Sequence, residues 1–212
     1  MKLIQIMLPV IALLTVGTVW ANNDVKVAEH HNNEESLDDT NRILHEACTN
    51  KNIGDACISL GYSYIKGRGV KQDYSKANVY YEKACNLNAG EGCFNLGNSY
   101  AKGQSVEQNY TKAKIYYEKA CSLNIGNSCS ILGILYVRGI GVRQDTSTAV
   151  SYYEKGCKLN EDNACKYLGI AYYHGFGVSQ NRTTAKEYYG KSCDLGNQEG
   201  CVNYRKLNEQ GY

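Results

Sequence analysis

The sequence predicts an all-α protein in which helix pairs stack one after another into a solenoid. A segment of 36 residues recurs along the chain, marked by YYEKACNLNAGEGC from Tyr80 to Cys93 and by similar segments ending at Cys129, Cys165 and Cys201. Apolar residues in each copy recur at helical spacing, and a helix pair of this size cannot bury its apolar side alone. Stacking on neighbouring pairs therefore completes the core.

Paired cysteines join each segment to the next. In each copy one cysteine lies near the end of a helical pattern, seven residues follow, and a second cysteine opens the next helical pattern. A disulfide closing a loop of about nine residues removes roughly 2.5 kcal/mol of unfolded-chain entropy. Four histidines and no C-x-x-C motif argue against a zinc or redox centre, so we predict no metal. The predicted disulfides are Cys48–Cys57, Cys85–Cys93, Cys121–Cys129, Cys157–Cys165 and Cys193–Cys201.

The first helix of each unit carries Cys, Leu, Gly and Tyr at unit positions 1, 4, 5 and 8, as in Cys57, Leu60, Gly61 and Tyr64. At about 100° per residue these positions share one side of the helix, which we predict packs against neighbouring helices. The glycine costs about 1 kcal/mol of helix propensity relative to alanine. We therefore assign it to a close contact between the two helices of one unit.

Both helices of a unit have predicted ends. A glycine that can adopt a left-handed backbone is expected to end the first helix. An Asp or Asn that can accept the first free amide protons is expected to begin the second. The predicted ends of the first helices are Gly67, Gly103, Gly139 and Gly175, and the predicted starts of the second helices are Asp73, Asn109, Asp145 and Asn181.

The predicted division of the chain follows the repeat. Residues 1–21, with a positive charge at Lys2, an apolar run and a small-residue end, are typical of a cleaved signal peptide. The apolar run is shorter than the roughly 20 residues that span a bilayer, which argues against a membrane anchor. Residues 22–37 are polar and are predicted to be a flexible leader. The remaining parts are a capping half-repeat at 38–56, repeats at 57–92, 93–128, 129–164 and 165–200, and a C-terminal cap at 201–212.

Composition narrows the function classes. A formal net charge of +2 gives no long-range attraction for nucleic acid or anionic lipid. Ten cysteines behind a signal peptide point to an oxidising compartment, so we expect a secreted or periplasmic protein. We further expect no cofactor, no membrane association after signal cleavage, and a monomer.

The unit also carries a known pattern. C-x-x-L-G-x-x-Y-x-x-G-x-G-V-x-Q-[DN]-x-x-x-A-x-x-Y-Y-E-K-[AG]-C, present at Cys57–Cys85 and Cys129–Cys157, resembles the Sel1-like repeat, and the cysteine pairs resemble the Helicobacter cysteine-rich proteins. The match covers about Cys48–Asn208. The resemblance implies a right-handed superhelix of antiparallel, disulfide-linked helix pairs that is secreted or periplasmic. It also implies an adaptor that holds proteins or peptides, or, as described for some cysteine-rich members, a penicillin-binding protein with weak β-lactamase activity.

The resemblance further implies that the first helices line the concave side. Opposite the packing stripe, unit positions 3, 6 and 10 vary between units, as a binding surface would, and position 10 is basic or potentially basic in every unit. This ladder of donors suits carboxylates along an extended peptide, or a cell-wall fragment. A basic residue near a helix C-terminus also stabilises the helix dipole by about 0.3–1 kcal/mol, which leaves a structural explanation open. The predicted ligand-binding residues are Tyr62, Lys66, Asn98, Lys102, Ile134, Arg138, Tyr167, Ile170 and His174.

Apolar side chains concentrate in the third and fourth units, at Ile131, Ile134, Ile170 and Phe176, together with Tyr167. We expect this part of the surface to be the more adhesive. Core packing is the competing explanation for the same residues.

A hydrolase is the alternative function. The β-lactamase motif S-x-x-K occurs at Ser63–Lys66 and Ser99–Lys102, but S-D-N and K-T-G do not occur. Both matches occupy the same repeat positions, which become Leu135–Arg138 and Ala171–His174 in the next units, so repeat chemistry explains them. We therefore predict an exported scaffold that binds a protein, a peptide or a peptidoglycan-like ligand. Binding and hydrolysis of a β-lactam is supported by resemblance alone, and no catalytic residue is assigned.

Overall fold

The computed structural model describes residues 34–212, with side-chain surroundings from residue 37 onward, and this part of the chain contains ten helices and no strand. Each helix packs against the next, which confirms the predicted solenoid of helix pairs. The predicted signal peptide and residues 22–33 of the predicted leader lie outside the described residues. The helices are α1 Glu34–Thr49, α2 Gly54–Lys66, α3 Tyr74–Asn86, α4 Gly90–Lys102, α5 Tyr110–Ser122, α6 Gly126–Arg138, α7 Thr146–Lys158, α8 Asp162–His174, α9 Arg182–Asp194 and α10 Gln198–Glu209.

Helix α1 begins at Glu34, so its first turn lies within residues 22–37, the stretch predicted to be a flexible leader. Leu37 packs against the turn of the first repeat, where a Cβ added to Gly69 would lie 2.7 Å from the Leu37 Cβ. One turn later, Asn41 Nδ2 donates a hydrogen bond to the Arg68 carbonyl at 2.8 Å. These tertiary contacts extend the helix beyond the residues whose apolar spacing predicted it.

The helix ends are those that the sequence predicts. Gly67 has φ 67°, a left-handed backbone that a residue with a Cβ adopts only at a cost, and its amide donates back to the Ser63 carbonyl. The glycines at the other three first-helix ends behave alike. The side chain of Asp73 accepts a hydrogen bond from the Lys76 amide at 2.9 Å, and Asn109, Asp145 and Asn181 cap the other second helices in the same way.

The stripe glycine allows the two helices of a unit to touch. A Cβ added to Gly61 would lie 2.6 Å from the ring of the buried Tyr81, so no larger residue fits. The contact recurs in every unit, which confirms the predicted role of this glycine. The other three pairs are Gly97 with Tyr117, Gly133 with Tyr153, and Gly169 with Tyr189.

Each hairpin is joined to its successor by a disulfide. All five predicted pairs are formed, with Cα–Cα separations from 4.4 to 5.0 Å, and the described residues contain no free cysteine. The residue before every cysteine is Ala, Gly or Ser, and these small residues face one another across the junction. A Cβ on Gly92, for example, would lie 2.5 Å from the Ala84 Cβ. Small side chains thus let the helices approach closely enough for the disulfide.

Stacked tyrosines form a second contact within each unit. Tyr64 stacks on Tyr80 with ring centroids 5.6 Å apart, and the same pair recurs in the other three repeats. The first tyrosine of the Tyr-Tyr dipeptide therefore supports the hairpin from outside the core. Tyr64 was predicted to lie in the packing stripe, whereas no role was predicted for Tyr80.

The glycine–tyrosine contact predicts the effect of a single methyl group. A Cβ at Gly133 would overlap Tyr153 Cε1, which outweighs the helix propensity of alanine, about 1 kcal/mol. We expect Gly133→Ala to lower the free energy of unfolding by about 1–3 kcal/mol, measured by denaturant unfolding of the oxidised protein. Gly190→Ala is the control, because its Cβ would meet only the exposed Tyr204 ring, at 3.2 Å. Equal effects of the two substitutions would contradict the packing explanation.

The stabilisation that Asp145 gives to the start of α7 depends on pH. Asp145 accepts hydrogen bonds from the Thr148 hydroxyl at 2.7 Å and from the amides of Thr148 and Ser147 at 3.1 and 3.0 Å. These bonds, led by the Thr148 hydroxyl, hold the pKa of the Asp145 carboxyl below its usual value. The stabilisation is therefore complete above the unfolded-state pKa, about 3.9, and is lost as pH falls through the lower folded-state pKa.

Asp145→Asn should remove this pH dependence while keeping the cap, since Asn109 and Asn181 cap the equivalent helices. Below about pH 4, the urea midpoint of the unchanged protein should fall more steeply with pH than that of the variant. Asn109→Asp provides the reverse control and should add a dependence of the same sign. Parallel pH curves for all three proteins would show that the cap carboxylate has no such role.

Candidate ligand-binding surface

Unit positions 3, 6 and 10 of α2, α4, α6 and α8 form a surface that we call the first-helix surface. Its side chains are half-buried or exposed, whereas the Cys, Leu and Gly of the packing stripe are buried. Helix α2 contacts α4, and α6 contacts α8, so the surface continues from the first repeat to the second and from the third to the fourth. It includes every predicted ligand-binding residue: Tyr62, Lys66, Asn98, Lys102, Ile134, Arg138, Tyr167, Ile170 and His174.

The basic ladder at position 10 is exposed along its whole length. Lys66, Lys102 and Arg138 each lie in the last turn of a first helix, and none forms an ion pair with another of residues 37–212. Lys66 Nζ lies 5.7 Å from the centroid of the Tyr62 ring, and Arg68 lies 5.4 Å from the same centroid. The cations are therefore available to an anionic ligand, and their position at helix ends fits the helix-dipole explanation equally well.

Four of the predicted residues meet at one cavity between the third and fourth repeats. Its volume is about 270 Å³, and its walls come from α6, α7, α8 and the residue Phe176 beyond α8. Three of these four residues are apolar or aromatic, and the fourth is Arg138. The predicted ligand-binding residues at this cavity are Ile134, Arg138, Tyr167 and Ile170. Phe176, predicted as part of the adhesive apolar area, also lines it, and Val150 and Tyr153 were not predicted.

Tyr153 lines this cavity and was not predicted from the sequence as a surface residue. It is 5% exposed, and its ring centroid lies 5.2 Å from that of Tyr167. Burial raises the pKa of the Tyr153 hydroxyl and the nearby Tyr167 adds to this, while Arg138 acts in the opposite direction. The hydroxyl is therefore neutral at ordinary pH and can donate a hydrogen bond. Tyr153 lies on α7, a second helix, whereas the ligand-binding residues were predicted on first helices alone.

The surface of the first two repeats is arranged differently. Asn98 occupies the position that Ile134 has in the third repeat, and its Oδ1 accepts a hydrogen bond from the Tyr117 hydroxyl at 2.8 Å. Tyr62, Lys66, Asn98 and Lys102 do not line the cavity between the third and fourth repeats. The predicted residues thus form one apolar cavity with a basic rim and one open polar stretch.

His174 lies beside the cavity without lining it. Its ring stacks on Phe176, with centroids 5.1 Å apart and planes 16° apart, and meets the edge of Tyr173 at 4.8 Å. Phe176 is 57% exposed, so this aromatic pair extends the apolar area outward. The fourth member of the basic ladder is therefore held as part of an aromatic group.

A second, open cavity of about 800 Å³ lies at the turn of the third repeat, next to Lys114, Tyr136 and Asp145. Two of its three charged side chains, Lys114 and Asp145, have partners within the protein, and the third is Arg143. Lys114 Nζ lies 2.9 Å from Glu118 Oε1, which also accepts a hydrogen bond from the Tyr152 hydroxyl at 3.3 Å, and Asp145 caps α7. A hydrogen bond to Glu118 raises the pKa of Lys114. This cavity thus offers a ligand fewer free groups than the first-helix surface.

The S-x-x-K matches do not form a catalytic arrangement. Ser99 is buried, and its hydroxyl donates to the Asn95 carbonyl at 3.2 Å, one turn back along its own helix. Lys102, by contrast, is exposed at the end of that helix. The pair therefore has a structural explanation, as the repeat pattern predicted.

Two further classes of site are absent from the described part of the chain. From residue 34 onward, no cluster of three or more His, Cys, Asp or Glu side chains is arranged to hold a metal ion. No helix in that range has the length and hydropathy needed to cross a bilayer.

Solved structures with this fold include several bacterial proteins. A Sel1 repeat protein from Oxalobacter formigenes is 27% identical over 81% of this chain and 69% of its own, with a TM-score of 0.72. Cysteine-rich protein B of Helicobacter pylori is 41% identical over 63% of this chain and 96% of its own, with a TM-score of 0.51. A protective antigen of uropathogenic Escherichia coli is 26% identical over 85% of this chain, with a TM-score of 0.74, and the match spans 37% of that antigen's length.

No curated protein matches the chain. The sequence pattern of the Sel1 repeat matches four consecutive segments, at residues 54–88, 90–125, 127–161 and 162–197. These segments begin two or three residues before the units counted from the cysteines, and each spans one helix pair, apart from the first residue of α6 in the third segment. Together they cover more than half of the sequence. The chain is a member of the Sel1 repeat family.

Proposed function

We propose that the chain is an exported, monomeric scaffold that binds a protein or peptide partner along the first-helix surface. Sel1 repeats generally mediate protein interactions, which supports this class of function. The five disulfides support a secreted or periplasmic location, because such bonds persist in oxidising compartments.

The observation that carries the proposal is the contrast between a repeated frame and a varied surface. The stripe glycines, cysteines and capping residues recur in every unit, whereas position 6 changes from Tyr62 to Asn98 to Ile134 to Ile170. A frame alone would not need this variation. Three cations without ion-pair partners in the described residues add a preference for acidic ligands, which a peptide or a peptidoglycan-like fragment can supply. Hydrolysis of a β-lactam remains supported by resemblance alone.

If the basic ladder binds the partner, replacing its three cations by alanine should weaken binding. In affinity capture from a periplasmic or secreted fraction, the oxidised chain should retain specific partners, and the variant Lys66→Ala, Lys102→Ala, Arg138→Ala should bind them about tenfold more weakly or less. Loss of charge-assisted hydrogen bonds is the reason, and raising the salt concentration should weaken binding of the unchanged protein.

The matched control changes Lys71, Arg143 and Lys158 to Ala. These three residues are exposed and lie outside the first-helix surface. Their substitution therefore removes the same total charge as the ladder variant does. Partners should bind this control like the unchanged protein. Partners lost equally from both triple variants would indicate a general charge effect, and partners retained by both would exclude the ladder.

A further inference from the structure

Resting on the proposed function, we propose that the cavity between the third and fourth repeats holds one bulky apolar side chain of a bound peptide, and that Arg138 at its rim binds a carboxylate next to that side chain.

The size and lining of the cavity favour a single side chain. Its volume of about 270 Å³ falls below the range of about 300–1,000 Å³ that is typical of small-molecule sites. Ile134, Val150, Ile170 and Phe176 contribute apolar walls, and no acidic residue lines it. A sugar would need several polar partners, whereas an aromatic or long aliphatic side chain is stabilised by burial against such walls.

The charge at the rim selects an acidic neighbour. Arg138 is the cation at the cavity, it is exposed, and it forms no ion pair within the described residues. In the same repeat pair, the buried Lys166 is already bound to Glu199, with Nζ 2.9 Å from Oε2. A guanidinium binds a carboxylate through two parallel hydrogen bonds, so Arg138 suits Asp or Glu in the ligand.

The Tyr153 hydroxyl could add a polar contact with a ligand in this cavity. The equivalent tyrosine in the second repeat is Tyr117, and its hydroxyl donates a hydrogen bond to Asn98 Oδ1. Ile134 replaces that asparagine in the third repeat, and Tyr153, which lines the cavity, forms no side-chain hydrogen bond among the described residues. Its hydroxyl therefore has a donor to offer to a ligand. A backbone carbonyl of a peptide whose side chain enters the cavity would accept the hydrogen bond from Tyr153.

The test uses a random, cysteine-free dodecapeptide library displayed on phage and selected on the oxidised full chain. We expect the enriched peptides to share an aromatic or large aliphatic residue within two positions of Asp or Glu. In a synthetic copy of the best peptide, replacing the apolar residue by Ala should weaken binding about tenfold or more, because a fully buried side chain of this kind contributes at least one factor of ten. Replacing its acidic residue by Gln should weaken binding to the unchanged protein and have no effect on Arg138→Ala.

Ile134→Asn is the most informative protein variant. It places at position 134 the asparagine that the second repeat has at Asn98. The introduced side-chain oxygen should accept a hydrogen bond from the Tyr153 hydroxyl, and the cavity wall should become polar. Binding of the peptide should fall about tenfold or more. Val79→Asn is its control, since Val79 is 63% exposed on α3, and Arg143→Ala is the control for Arg138→Ala. Circular dichroism and intact mass confirm folding and five disulfides, and Arg138→Ala tests the site even if Ile134→Asn does not fold.

The outcomes separate the two proposals. Peptides that lack the apolar–acidic pair, or that bind Ile134→Asn and Arg138→Ala like the unchanged protein, would overturn the cavity proposal. If those peptides still depend on Lys66 and Lys102, the scaffold function stands. Enrichment of no peptide at all would overturn both.

Discussion

The junction between successive hairpins is the contact on which the rest of this structure depends. At each junction the end of one second helix meets the start of the next first helix, and a disulfide joins them with Cα atoms no more than 5.0 Å apart. The approach is possible because the residue before every cysteine is small, as at Ala84 and Gly92. Apolar burial and a covalent link thus act at the same place, and together they fix the relative position of neighbouring repeats.

A fixed junction explains how so small a repeat can support a binding surface. Each hairpin has one internal glycine–tyrosine contact and one tyrosine stack, and neither uses the outward positions of the first helix. Positions 3, 6 and 10 are therefore free to change without loss of the frame. The exchange of Asn98 for Ile134 shows the consequence, because the same backbone position completes a hydrogen bond in one repeat and lines an apolar cavity in the next.

Most of the frame could be predicted from sequence because it repeats. The cysteine spacing predicted the disulfides. Glycine positions predicted the ends of the first helices, and Asp or Asn positions predicted the starts of the second helices, because each residue type satisfies a local requirement of the helix end. The start of α1 could not be predicted in this way. It depends on contacts of Leu37 and Asn41 with a turn about 30 residues away, and the polar residues before it carry no apolar spacing.

The candidate site was predicted less completely for a related reason. Ile134, Arg138, Tyr167 and Ile170 were identified because they lie on the outward side of the first helices, and the structure brings them to one cavity. Tyr153 and Val150 come from a second helix, and ligand-binding residues were predicted only on the first helices. A cavity arises when two neighbouring repeats leave space between them, and the pattern of one repeat does not contain that information.

Amide hydrogen exchange of the oxidised chain, compared with the reduced and alkylated chain, tests most directly whether the junctions hold the surface in place. The account predicts that the oxidised first helices α4, α6 and α8 are protected throughout, and that reduction speeds their exchange by about tenfold or more as local opening becomes easier. Exchange rates in these helices that do not change on reduction would contradict it, because the repeats would then keep their arrangement without the covalent links.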